Sequence, residues 1–300
     1  MRIFVIFLFV IFNFNNTFGQ DQIHKNEILK YIFMGHTYQR DGGGSKVDER
    51  IEQLDFSEYE GIWLGGDICS EATLDYSTIE YLDSLFDLSN ENTYWTFGNH
   101  DIRNGNLEWI YEFSGKGTYY SHYQNGFTSI ILNTNLIPSQ CEQLNDQYYM
   151  IENVCDTIQQ SSHLILIMHH GIWRDVPDLP PPATYAHSDL IYWNSNCFSV
   201  NSTFVNSIYP MLLEVKNRGV EVICILGDMG ASQKKFDMQS IDGISFLGCG
   251  LNSSPEDYVL ILEYETESQD LIYKFHNLDS LSNKSNSFYQ IGEQDLELRY

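Results

Sequence analysis

Five short apolar runs in this chain each stop at a glycine-flanked side chain able to bind a metal ion or move a proton. Leu29–Met34 ends in Gly35-His36, Ile62–Leu64 in Gly65-Gly66-Asp67, and Tyr94–Phe97 in Gly98-Asn99-His100-Asp101. Leu164–Met168 ends in His169-His170-Gly171, and Val220–Leu226 in Gly227-Asp228-Met229-Gly230. Any one of these reads as an ordinary turn. Together they offer carboxylates, an amide oxygen and imidazoles, a donor mixture that suits manganese, iron or zinc better than calcium, which takes an all-oxygen shell. In open α/β sheets function gathers beyond the carboxyl ends of the strands. Glycine there allows a sharp turn and close approach of the backbone to a ligand.

The elements that must position these groups alternate along the chain. The five apolar runs read as strands, separated by helical periodicity over Val47–Leu54, Tyr76–Leu88, Leu107–Phe113, Gln140–Gln160 and Thr203–Asn217. Thr118–Tyr123 and Phe127–Asn133 read as hairpin arms about Asn125-Gly126, a favoured two-residue turn. After Gly227 only strands are expected: Ile244–Leu247, Tyr258–Tyr264 and Leu271–Phe275. No internal repeat or long low-complexity linker divides the chain, so residues 20–300 read as one layered α/β domain. Residues 171–202 stand apart as an aromatic, proline-rich insertion without periodicity, a composition typical of a lid or binding loop.

In order and spacing, Gly66-Asp67, Gly98-Asn99-His100-Asp101 and the strand-terminal His169 resemble the metallophosphoesterases of the calcineurin-like superfamily. The resemblance runs from about Tyr31 to about Gly230, and the Gly-Asn-His-Asp element is its most specific part. It implies a four-layer αββα sandwich, two mixed β-sheets flanked by helices, with a dinuclear metal site at the sheet edge. It implies that Asp67 bridges two metals, that Asn99 and His169 bind the second, and that His100 is a general acid or phosphate contact oriented by Asp101. The implied activity is hydrolysis of a phosphate mono- or diester by metal-activated hydroxide.

The chain departs from that pattern at both ends. The family opens with Asp-x-His, but the aspartate position here is Met34, leaving His36. It closes with Gly-His-x-His, where this chain has Gly227-Asp228-Met229-Gly230. The second metal keeps Asp67, Asn99, His169 and Asp228, while the first keeps only His36 and Asp67, with Tyr38 and Asp41 as nearby candidates to complete it. One tight divalent transition metal per chain is the expectation, with any second ion weakly held. His170 and Trp173 are candidates for substrate contact. The alternative to catalysis is a degenerate module of the same fold that binds a glycan or a protein partner.

Composition narrows the partners. Sixteen Lys and Arg against 41 Asp and Glu give a formal charge of −25. Such a field repels nucleic-acid phosphates and anionic membrane surfaces. A phosphate-ester substrate remains compatible, because a bound metal would be the largest local charge. Met1-Arg2, the apolar run Ile3–Phe12 and the small residues Thr17 and Gly19 read as a cleaved signal peptide over residues 1–19. The run is too short to span a bilayer, so the mature chain is expected to be secreted or periplasmic with no membrane span. Export raises the question of disulfides among six Cys. Cys141 and Cys155 fall on one expected helix, about 21 Å apart, too far to bridge. At most one disulfide is expected. The Gly42-Gly43-Gly44-Ser45-Lys46 run lacks the spacing of a phosphate-binding loop, and no Gly-x-Ser-x-Gly nucleophile elbow occurs.

Overall fold

The computed structural model describes residues 27–39, 43–137, 139–184, 204–230 and 233–283. The expected signal peptide, Asp41, and residues 185–202 of the expected insertion lie outside them. Among the described residues eleven strands form two mixed sheets. The first has the order β11-β10-β1-β2-β3, from β1 (Ile28–Met34), β2 (Gly61–Leu64), β3 (Tyr94–Trp95), β10 (Tyr258–Glu265) and β11 (Leu271–Asn277). The second has the order β4-β5-β6-β7-β9-β8. Its strands are β4 (Tyr120–Gln124), β5 (Phe127–Ile131), β6 (His163–Met168), β7 (Glu221–Leu226), β8 (Lys235–Gln239) and β9 (Ser245–Cys249). The one-turn helices α1 (Glu49–Glu52) and α3 (Asn99–Ile102) lie in the connections after β1 and β3.

Period-two alternation builds the layers. Tyr31 and Phe33 of β1 face the second sheet, where they join Trp63, Tyr94, Phe127, Ile165, Ile167 and Ile225 in an aromatic-rich core between the sheets. Ile32 and Met34 face the other way, packing with Leu64 beneath α2 (Tyr76–Phe86) and α4 (Leu107–Ser114). The outer face of the second sheet packs Leu164, Leu166 and Cys224 against α5 (Cys141–Thr157) and α6 (Tyr209–Asn217). The order is helix, sheet, sheet, helix. The expected αββα sandwich is present.

Local signals set the elements. Asp75 caps α2 by accepting from the Ser77 N–H, and Ile79, Leu82 and Phe86 bury one face. Asn125 and Gly126 both take positive φ (48° and 96°), as the hairpin turn between β4 and β5 requires. Three features differ from expectation. The β8 strand carries little sequence signal, because charged Lys235 and Asp237 alternate with Phe236 and Met238 over only five residues. The Tyr94–Phe97 strand shortens to two residues. The helix expected from Thr203 opens with a π-turn over Phe204–Ile208 before α6 begins.

Within each sheet the site-bearing strands run parallel to one another, β1 with β2 and β2 with β3 in the first and β6 with β7 in the second, so their carboxyl ends share one edge. There three glycines let the sheets meet. A Cβ on Gly227 would lie 1.9 Å from the Gly65 carbonyl oxygen, and one on Gly35 2.2 Å from that of Gly227. Cys141 is disulfide-bonded. Cys69, Cys155, Cys224 and Cys249 are free, buried thiols. Among the described residues no helix is long and apolar enough to cross a membrane.

Candidate metal centre

Asp67 is the hub. It follows β2 in the left-handed region (φ 54°), as His36 does after β1 (φ 55°). Backbone strain at non-glycine residues is commonly held at functional sites. Asp67 Oδ1 accepts from the His100 N–H at 2.8 Å. Its Oδ2 faces three imidazoles: Nε2 of His169 at 3.5 Å, of His36 at 3.7 Å and of His100 at 4.0 Å. Gly98 makes this approach possible, since a Cβ there would fall 2.0 Å from Asp67 Oδ1.

All three rings are oriented in the same way. His169 Nδ1–H donates to the Gly65 carbonyl (2.8 Å), His36 Nδ1–H to Leu251 (3.2 Å), and His100 Nδ1–H to Ser70 (3.0 Å). A carbonyl on Nδ1 fixes the tautomer and turns the Nε2 lone pair toward the site, the arrangement seen around metal-ligating histidines. His169 Nε2 is wholly buried and has no hydrogen-bond partner. A buried nitrogen without a partner is costly unless something else occupies it. A divalent cation fits this donor set.

The electrostatics agree. Burial opposes charge on Asp67, yet His169, His36 and His100 outweigh it and hold the carboxyl well below the usual range. Burial likewise opposes a proton on His169, but the Asp67 and Asp228 carboxylates push it up to about 10. Burial lowers His36, and lowers His170 to about 3 with help from His169. The edge thus carries negative charge seeking a cation, which protons satisfy only in part.

The structure brings together nearly all the residues expected from sequence. Asp228, after β7, is buried, and its N–H donates to the His169 carbonyl. Ligand atoms of His169, His170 and Asp228 lie within 4.8 Å of one another. Asn99 opens α3, with its Oδ1 3.3 Å from His170 Nε2. Met34, at the family's aspartate position, turns into the apolar core and contributes nothing to the site. In that half of the site Tyr38 stacks on His100 (centroids 5.2 Å apart) and packs on His36 (4.6 Å).

Two expectations are corrected. Asp101 does not orient the His100 ring, which the Ser70 carbonyl holds instead. The wholly buried Asp101 carboxylate accepts from the N–H groups of Asp67, Ile68 and Gly98 and from the Trp95 indole, so it positions the two loops that carry Asp67 and Asn99. Burial and the Asp67 charge raise it to about 7, against the pull of those N–H donors. Trp173 is not a substrate contact. It is wholly buried and packs on Phe236 and Phe246 beneath α6. His170, also expected to touch substrate, is 7 % exposed and lies in the ligand cluster.

Sequence reasoning missed a supporting chain. Gln147 of α5 is wholly buried, and its Oε1 accepts from the Asn133 N–H at 2.7 Å. The loop so fixed places Thr134 Oγ1 2.8 Å from His170 Nδ1. Asn135 Nδ2 donates to the Phe97 carbonyl, tying the same loop to the end of β3. The polar run Asn133-Thr134-Asn135 after an apolar strand was the available signal.

Comparison with known proteins gives the family of the chain. The sequence profile of the family described as calcineurin-like phosphoesterase matches residues 23–223. The chain belongs to that family, whose members typically bind divalent metals and act on phosphate esters. No curated protein matches the chain. Among solved structures, vacuolar protein sorting 29 from Cryptosporidium parvum is similar at 10 % identity and a TM-score of 0.36, over 83 % of this chain and 97 % of that one. A double mutant of Vps29 from Entamoeba histolytica gives 11 % identity and a TM-score of 0.33, over 83 % and 99 %.

Proposed function

We propose that this chain is an exported, metal-dependent phosphoesterase that hydrolyses a phosphate mono- or diester. The observation that carries the reading is the ring of three carbonyl-anchored imidazoles whose Nε2 atoms face one carboxylate oxygen of Asp67. Asp67, Asn99, His169 and Asp228 are the residues that would hold the ion. A divalent metal bound there would supply charge neutralisation for phosphoryl oxygens and an activated water at neutral pH.

The chain's own residues do the remaining work. Asp67 stays ionised and locks α3 through the His100 N–H. His100 is the most exposed of the three imidazoles facing Asp67, its side chain 23 % accessible, so its Nε2 can meet a leaving-group oxygen and, when both ring nitrogens carry a proton, hold or protonate it. Asp101 keeps both loops in register from below. Tyr38 limits the freedom of the His100 ring by stacking on it. Export is supported by the apolar N-terminal run and by the disulfide at Cys141, which needs an oxidising compartment.

The test uses the mature chain from Gln20. Metal content is measured beside hydrolysis of p-nitrophenyl phosphate and bis(p-nitrophenyl) phosphate, with manganese or with chelator. Hydrolysis of either ester that chelator abolishes is the expected result. A protein that binds metal tightly and cleaves neither ester would instead be a binding module on the same fold.

A further inference from the structure

We propose that His170 is itself a metal ligand, recruited by this chain to join His169, Asp228 and Asn99 around one ion. The proposal rests on the metal-dependent reading above. It concerns the ligand set, where the family's terminal imidazole is absent at Gly230.

Three observations carry it. The ligand atoms of His169, His170 and Asp228 lie within 4.8 Å of one another, near enough for small side-chain shifts to gather them about one ion. His170 Nε2 is 3.3 Å from Asn99 Oδ1, a spacing that two ligands at ~2.1 Å from one metal adopt. Beside them sits the wholly buried His169 Nε2 with no hydrogen-bond partner. Thr134 completes the case. Its Oγ1 accepts from the His170 backbone N–H at 3.1 Å and lies 2.8 Å from Nδ1. With an ion on Nε2 the ring proton would sit on Nδ1, and Thr134 Oγ1 could accept it as well, a role that carbonyls fill for His36, His100 and His169. Gln147 and Asn135 hold that loop on either side of Thr134. The carboxylate at 228 stands where the closing motif has its first imidazole, and the imidazole at 170 adds a ligand to that same ion.

The competing role for His170 is a hydrogen bond that only positions Asn99. Two variants separate them. Gln at 170 can still donate to Asn99 but is a poor ligand for a transition metal, and Ala can do neither. Mn2+ is titrated into the chelator-stripped mature protein, and the Cu2+-loaded protein is examined by electron spin-echo envelope modulation, which counts coordinated imidazoles. His170→Gln and His170→Ala should each weaken the tight site by about 100-fold or more and lower the imidazole count by one. Thr134→Val should weaken it ~10–100-fold, and Thr134→Ser should not.

Unchanged affinity and imidazole count in His170→Gln would overturn the proposal. If neither His170 variant folds, the wild-type spectrum decides, because a single coordinated imidazole contradicts it. Failure of the wider reading looks different: two imidazoles on a tight ion with no ester cleaved. A wild-type chain that takes up no metal ends both.

Discussion

Two histidines bracket β6. His163 opens the strand and His169 follows its last residue, and both are buried. His163 is a contented structural group: its Nδ1 is 2.9 Å from the Ser162 hydroxyl, its ring packs edge-on against Tyr264, and burial lowers its proton affinity. His169 has one nitrogen satisfied and the other facing Asp67 with no partner, and its proton affinity is driven up. The same residue type, on one strand, is spent at one end and unspent at the other. The difference marks the edge at which we propose that the ion binds. At the distal end hydrogen-bonding capacity goes into the fold, and at the carboxyl-end edge it is held back for something that is not protein.

The sharpest way to break this contrast is to remove each histidine. His169→Ala should abolish tight metal binding and with it ester hydrolysis, as read by metal analysis and initial rates. His163→Ala should leave metal stoichiometry untouched and cost about 1–3 kcal/mol of stability in chemical denaturation. Loss of metal in both variants would dissolve the distinction.

The two ends of β7 offer a second contrast. Gly219 precedes the strand with φ of 91° and open space where a methyl group would stand, whereas Gly227 follows it against the Gly65 backbone. Gly219→Ala should cost about 1–2 kcal/mol for its left-handed backbone alone. Gly227→Ala should exceed about 4 kcal/mol or fail to fold, because backbone on both sheets would have to separate. Equal, small losses in melting experiments would mean that the sheets do not need to meet at this edge.

Within the site, His100→Asn should lower kcat by ~10²–10⁴ with metal content nearly unchanged. Its ring is anchored by Ser70 and partly open to solvent, whereas His169 is closed in. Parallel loss of metal would move His100 into the ligand set.

The smallest effect is in pH dependence, and the two histidines of β6 have opposite signs. Burial keeps His163 neutral when folded, so the unfolded chain binds more protons as pH falls through about 6.5, and stability drops there. His169 in metal-free protein holds its proton up to about 10, so its contribution is full below about 6.5 and is lost as pH rises toward 10. With chelator present, His163→Gln should flatten the acid side of the stability profile and His169→Gln the alkaline side. Metal uptake should release protons and strengthen with pH for the same reason.

Much of this was legible in the sequence, and the legible part has a physical cause. A buried parallel strand needs a continuous apolar run, and a chemical group at its end needs glycine to turn on, so Gly35-His36, Gly65-Gly66-Asp67 and Gly227-Asp228 announce themselves. The misses have causes too. The Asp101 role depended on which backbone N–H groups its carboxylate would find, including those of Asp67 and Ile68 more than 30 residues away. Trp173 looked like a loop aromatic because the sequence cannot show that Phe236 and Phe246, from strands far along the chain, close over it. His170 stood beside a better-matching histidine, and only the Thr134 contact from a different strand end shows what its second nitrogen faces.

The account stands on a cation seated beside β6 and β7. Equilibrium titration of Mn2+ into the chelator-stripped mature chain tests it most directly. One tight ion per chain is predicted, held by the His169 and Asp228 half while the half with Met34 in its core stays weak. A chain that takes up no ion, or two equally tight ones, would contradict it.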